Sequence, residues 1–143
     1  GNLGTGNTTN YSTPVYSNID NVIDVVAGYY YTAALKKDGT VWMTGYNADG
    51  ELGVGDTENK LNFVQVKNED GTGFLNNIKS IFSGTHTMYA ITNDNEVYTW
   101  GYNGNSQLGD GTTTDLRHPE KVTAFAENQE HYLQRQHCKT LSK

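Results

Sequence analysis

Asn, Asp and Gly crowd two stretches of this chain, Tyr46 to Gly55 and Tyr102 to Gly111, and loops of that composition invite a calcium site. Calcium takes several carboxylate, amide and carbonyl oxygens from a loop of fixed spacing, so the spacing decides. An Asp-x-[Asp/Asn]-x-[Asp/Asn]-Gly loop ending at Gly50 requires an oxygen ligand at position 45, and Gly45 supplies none. The second stretch has Ser106 where that glycine should fall. Both are therefore expected to fix a loop backbone, through positive φ angles and side-chain to backbone bonds, rather than to hold an ion.

Other chemistries are no better supplied. His131, His137 and Cys138 are partial zinc donors, but a closed structural site needs four ligands at spacings such as Cys-x-x-Cys, so they read as incidental. No Gly-x-Ser-x-Gly elbow and no Walker phosphate loop is present. His86 follows Gly84 by two residues and is expected in a turn, solvated or structural. The expectation is a non-enzyme with no catalytic residue, no metal ligand and no cofactor.

The ten Tyr residues are a different resource, because Tyr is enriched at protein interfaces. Which of them are free to meet a partner depends on the elements that carry them, and those elements repeat. Gly45-Tyr46-Asn47-Ala48-Asp49-Gly50-Glu51-Leu52-Gly53-Val54-Gly55 returns as Gly101-Tyr102-Asn103-Gly104-Asn105-Ser106-Gln107-Leu108-Gly109-Asp110-Gly111. Its Leu-Gly-x-Gly end also stands at Leu3-Gly4-Thr5-Gly6. Sliding residues 22–66 onto 78–122 without gaps gives identity at 12 of 45 positions.

Within one unit, Val22 to Ala27 and Ile78 to Ser83 are short, rich in β-branched residues and closed by Gly28 and Gly84, which predicts strands. Tyr31 to Leu35 and Thr87 to Thr92 are predicted to follow as strands, then tight hairpin turns at Lys37 to Thr40 and Asn93 to Glu96. Val41 to Thr44 and Val97 to Trp100 form the third strands. After a long loop, a fourth is expected near Phe63 to Val66 and Pro119 to Val122. Four short strands per unit of roughly 50 residues, without helical periodicity, is the pattern of a β-propeller blade.

The motifs Gly-x-x-x-[Thr/small]-x-Ala-Leu, Asp-Gly-x-Val and Gly-x-Asn-x-x-Gly-x-Leu-Gly-x-Gly resemble the regulator of chromosome condensation repeat over about residues 1–122. The resemblance implies an all-β fold of about two four-stranded blades plus part of a third, a segment of a seven-bladed propeller. It divides the chain into the end of a preceding repeat (1–21), a full repeat with a linker insertion (22–77), a second full repeat (78–122) and a non-repeat tail (123–143). Thr44 departs from the pattern, standing where the family usually has the Trp found at Trp100, and Tyr31 and Thr87 stand where it usually has His. Weaker blade packing is expected from these exchanges.

Positions that agree between the copies, such as Tyr46/Tyr102 and Asn47/Asn103, are explained by needs of every blade: a packing ring and a loop-fixing amide. Positions that differ are free for a partner. That logic selects Tyr29 and Tyr30 with their counterparts Thr85 and His86 as candidate partner-binding residues, at a rim where turns gather.

A net charge of −6 with scattered Lys and Arg argues against nucleic acid. No run approaches the roughly 20 apolar residues of a membrane helix. Two blades are fewer than a propeller needs to close, which is expected of a piece of a longer protein or of a chain that self-associates through open blade faces. Richness in Asn, Thr, Tyr and Gly is compatible with an extracellular or bacterial-surface protein. The function expected is a non-catalytic protein-binding module. Guanine-nucleotide exchange on a small GTPase and structural self-assembly are the alternatives. A photoreceptor role, known in the family, would need clustered Trp, and Trp42 and Trp100 stand apart in sequence.

Overall fold

A computed structural model describes residues 1–123. The expectations for His131, His137, Cys138 and nearly all of the tail lie outside these residues. Eight strands run in order: β1 (Val22–Ala27), β2 (Tyr31–Lys36), β3 (Val41–Gly45), β4 (Lys60–Gln65), β5 (Ile78–Ser83), β6 (Thr87–Thr92), β7 (Val97–Gly101) and β8 (Leu116–Lys121). They form two four-stranded antiparallel meanders, β1-β2-β3-β4 and β5-β6-β7-β8. No helix occurs among the described residues, and none there is long and apolar enough to cross a membrane.

Local chemistry sets the turns. Gly39 N donates to Lys36 O at 3.0 Å and Lys36 N to Thr40 O at 2.9 Å, with Gly39 at φ 83°. Asn95, at φ 63°, repeats this in the second sheet with Thr92 and Glu96. Each hairpin thus uses a three-residue loop closed by one left-handed residue, where Asp-Gly alone pointed to a tighter turn. The fourth strands also start three residues earlier than expected. A bulge between Met43 and Gly45 lets pairing restart at Gly45↔Lys60, and the same shift gives Gly101↔Leu116. Val66 and Val122 fall just beyond the strands, although their N–H groups still bond to Val41 O and Val97 O.

Alternation along β2 and β3 sends Tyr31, Ala33, Leu35, Val41 and Met43 to one face, where they meet Ile78, Ile81, Met88, Ala90 and Trp100 of the second sheet. Each large side chain buried there contributes roughly 1.5–3 kcal/mol. Position within the pair matters as much as residue type. Ile81 on β5 is 2% exposed because the first sheet covers it, whereas Val25, at the matching position of β1, is 56% exposed.

The Thr44 exchange is locally compensated. A Cβ on Gly53 would stand 2.8 Å from Trp100 Nε1, and one on Gly4 would stand 2.5 Å from the ring of Phe63 and 3.3 Å from Thr44 Cγ2. Phe63, next to Thr44 across the β3–β4 pairing, brings its ring to the space that Trp100 fills in the second sheet. Thr44 Oγ1 is within hydrogen-bonding distance of Gly1 O (2.9 Å) and Lys60 O (3.1 Å), as Trp100 Nε1 donates to Glu51 O at 2.8 Å. Weakened packing at Thr44 is not what the structure displays.

Candidate functional site at the junction of the two sheets

Because both sheets are simple meanders, the β1–β2 turn, the β3–β4 loop, the β5–β6 turn and the β7–β8 loop all emerge at one end. Two glycines seat the turns against the third strands. Gly45 and Gly101 adopt φ of 111° and 99°, and a Cβ on either would come within 2.4 Å of Tyr30 O or His86 O. The approach allows Tyr46 N to donate to Tyr30 O and Tyr102 N to His86 O, each at 2.9 Å. Tyr29 N donates to Thr85 O at 3.0 Å and joins the two turns.

Tyr31 fixes this end from below. Its hydroxyl lies 2.9 Å from Gly84 O and 2.8 Å from Thr87 O and donates its one hydrogen between them. Burial, then the neighbouring Glu51 and Tyr89, hold that phenol well above its usual range, so it remains a neutral donor.

Four aromatic side chains gather above. Tyr29 and Tyr30 have centroids 4.2 Å apart; Tyr29 lies 5.8 Å from His86, Tyr46 lies 6.0 Å from His86 edge-on, and Tyr30 lies 6.3 Å from Tyr46. Tyr29 and Tyr30 are 60% and 55% exposed. The neighbouring Tyr29 hydroxyl, toward which the Tyr30 O–H is the donor, holds the Tyr30 phenol above its usual range. Of the four residues the sequence singled out, Tyr29, Tyr30 and His86 contribute rings to one cluster. Thr85 contributes its backbone carbonyl, and its side chain stands in solvent.

Three members were missed. Agreement between the copies assigns Tyr46 to blade packing, yet its ring joins the cluster. Asp49 and Glu51 arrive from the β3–β4 loop, 35 or more residues before His86. Glu51 Oε1 stands 2.8 Å from His86 Nδ1 and Asp49 Oδ2 3.7 Å from it. Glu51 is fully buried, and its Oε2 accepts from Asp49 N at 2.9 Å. A signal for these two existed: the second loop has Asn105 and Gln107 at the same places, a carboxylate-to-amide difference between copies.

The long loop itself is held by one amide. Asn47 Nδ2 donates to Asp56 O, Asp56 Oδ1 and Glu58 O at 3.0–3.1 Å, and Asn47 Oδ1 accepts from Leu52 N at 2.9 Å. Asn103 repeats the pattern with Asp110, Thr112, Thr114 and Leu108 N. Both amides are fully buried, in agreement with the loop-fixing role expected of them.

Two four-stranded meanders with this loop define blades of a propeller. Residues 22–51 with 78–107, and residues 94–134, match the regulator of chromosome condensation (RCC1) repeat. The chain belongs to that family. It is 32% identical to the Arabidopsis thaliana ultraviolet-B receptor UVR8 over 87% of this chain and 28% of that protein. It is 30% identical to the dog X-linked retinitis pigmentosa GTPase regulator over 86% of this chain and 12% of the relative. Human WBSCR16 superposes with a TM-score of 0.65 at 22% identity, covering 84% of this chain and 32% of that one. Saccharomyces cerevisiae Prp20p, whose structure was reported with its binding to Gsp1p and histones, gives 0.59 at 22% identity over 75% of this chain and 27% of its own. The chain thus spans less than a third of the length of each. The compositional expectation of a secreted or bacterial-surface protein gains no support from these relatives.

Proposed function

We propose that this chain is a non-catalytic protein-binding segment of an RCC1-type propeller, and that its partner meets the rim formed by Tyr29, Tyr30, Tyr46, Thr85 and His86. In this reading residues 1–21 end a preceding repeat, 22–77 and 78–122 are full repeats, and the parent ring has seven blades. The observation that carries it is the exposed, contiguous aromatic cluster on turns locked from beneath by Tyr31, Gly45 and Gly101. Tyr rings lose little conformational entropy on binding and bury much area, and a rigid scaffold reduces that loss further. Propellers and other repeat folds place variable loops on rigid blades in this way.

The test is affinity capture with the intact chain, comparing wild type with a Tyr29→Ala/Tyr30→Ala variant and a Lys37→Ala/Asp38→Ala variant at the opposite end. Binding partners lost with the rim variant and kept with the opposite-end variant support the assignment. Partners indifferent to the rim, or lost with the opposite end, would place the interface elsewhere.

Guanine-nucleotide exchange is a second reading, favoured by the acidic and imidazole groups on the rim and by relatives named for GTPase regulation and for Gsp1p binding. Nucleotide release from a panel of small GTPases, measured with the full-length parent protein, decides it; no acceleration removes it. Self-association through the open face at Val25 remains the structural alternative, and a 15.8 kDa monomer in light scattering would count against it.

A further inference from the structure

The geometry points to a zinc-binding site formed by Asp49, Glu51 and His86 where the two blades meet, with a fourth coordination position open to water. This inference does not depend on the rim's being a protein-binding surface.

Gln107 in the second loop does for Asn105 what Glu51 does for Asp49: Asn105 N donates to Gln107 Oε1 at 2.9 Å, as Asp49 N donates to Glu51 Oε2 at 2.9 Å. A neutral amide is therefore enough to shape the loop. The charge of Glu51 and its second oxygen are surplus to that task, and a fully buried carboxylate is costly unless a cation or strong donors compensate it. Among the described residues, the salt bridges of Asp49 and Glu51 involve only the His86 imidazole, which no Lys or Arg accompanies there.

The donor atoms are also placed for one ion. His86 Nδ1 lies 2.8 Å from Glu51 Oε1 and 3.7 Å from Asp49 Oδ2, and the three donor atoms fall within 4.8 Å of one another. Around a tetrahedral ion with bonds of about 2.0–2.2 Å, donors stand about 3.3–3.6 Å apart, so the two measured separations bracket that value. Seating the ion requires the His86–Glu51 pair to open by about half an ångström. The imidazole then coordinates through Nδ1 and carries its hydrogen on Nε2, while the two carboxylates balance the dipositive charge. Asp49 and His86 are each about one-third exposed, which opens a path for the ion.

Ligand chemistry favours zinc over the hard cations. Magnesium and calcium seek six or more oxygens, and this site offers two carboxylates and one nitrogen. The backbone is already in place, because Tyr102 N holds His86 O and Trp100 Nε1 holds Glu51 O.

Isothermal titration of ZnCl2 into the EDTA-treated intact chain tests the site. One zinc per chain is expected, bound at least tenfold more weakly by Asp49→Asn and by His86→Ala, and unchanged in a His131→Ala/His137→Ala/Cys138→Ala variant. Asp49→Asn should keep the wild-type fold by circular dichroism, since Asn105 already occupies the matching position. Cobalt substitution should give a spectrum of oxygen and nitrogen ligation without a thiolate charge-transfer band. Absence of binding, equal affinity for magnesium, affinity indifferent to Asp49 and His86, or loss of zinc with the tail variant would each overturn the assignment.

Discussion

Gly53 and Gly109 hold the same position in two copies of one loop, with φ of 65° and 72°. Gly53 is buried beneath Trp100 and Val66, while Gly109 is exposed and has only Val122 near it. The loops share their Asn clamp and their left-handed glycines, so their internal architecture is the same. What differs is the blade that follows. Trp100 of the second sheet closes over the first loop, and His86 of the same sheet turns its Glu51 into half of an imidazole–carboxylate pair. The second loop, with Gln107 in that place, meets no such sheet among the described residues. The contacts that distinguish the first loop thus come from the neighbouring sheet, not from the motif that both loops share.

Removing the neighbour's contribution is the strongest way to break that contrast. Trp100→Ala empties a fully buried site and deletes the bond to Glu51 O, and is expected to cost about 3–5 kcal/mol in urea unfolding. Tyr98→Ala, on the same strand but half-buried, should cost about 1 kcal/mol. Equal losses would mean that the junction does not hold the blades together.

The glycine pair sharpens the comparison at a single position. Ala at either site must adopt a positive φ, at about 1 kcal/mol. At Gly53 the new Cβ also meets Trp100 and Val66 within 3 Å, which adds roughly 1–3 kcal/mol of overpacking. Gly53→Ala should therefore be clearly more destabilising than Gly109→Ala when both are melted side by side, and the difference should shrink in a Trp100→Ala background, where only the Val66 contact remains.

The clamp should behave oppositely. Asn47→Ala and Asn103→Ala each strand buried partners of a similar hydrogen-bond set, so each is expected to cost about 2–3 kcal/mol, with little difference between them. A markedly larger loss at Asn47 would show that the following blade also tightens the clamp.

The same contrast explains what could be read in advance. Strand number and order followed from β-branched runs bounded by Gly28, Gly84 and the Asp38-Gly39 and Asp94-Asn95 turns, because those signals are local. The fourth strands were misplaced by three residues because a bulge at Gly45 and Gly101 resets the register, and no side-chain pattern in Lys60 to Asn62 announces it. Differences between the copies single out Tyr29, Tyr30 and His86, whose rings lie together. Asp49 and Glu51 met that criterion too, but their role depends on a histidine from the next sheet. Compensation of Thr44 by Phe63 was invisible for the same reason: it is a contact across strands and between segments, not a motif.

The smallest expected effect separates the loops by charge. Burial opposes ionisation of Asp56, but the hydrogen bond from Lys60, that from Glu58 N, the Lys60 charge and Asn47 together hold its carboxyl below the usual range. Burial likewise opposes ionisation of Asp110, and Thr112 and Asn103 outweigh it. Because both folded-state values are depressed, the stabilisation is complete above the unfolded Asp value of about 3.9 and is lost as pH falls through the lower folded values. Both loops should therefore loosen in acid, by a few tenths of a kcal/mol each given their partial exposure. Salt should discriminate them. Lys60 pairs with Asp56 at 2.9 Å, whereas Leu116 stands at the corresponding place in the second copy. Hydrogen exchange at Leu52 N and Leu108 N, the amides bonded to the two clamps, should show salt near 1 M speeding exchange at Leu52 and leaving Leu108 unchanged. Equal acceleration at both amides would mean that the ion pair contributes nothing to holding the first loop.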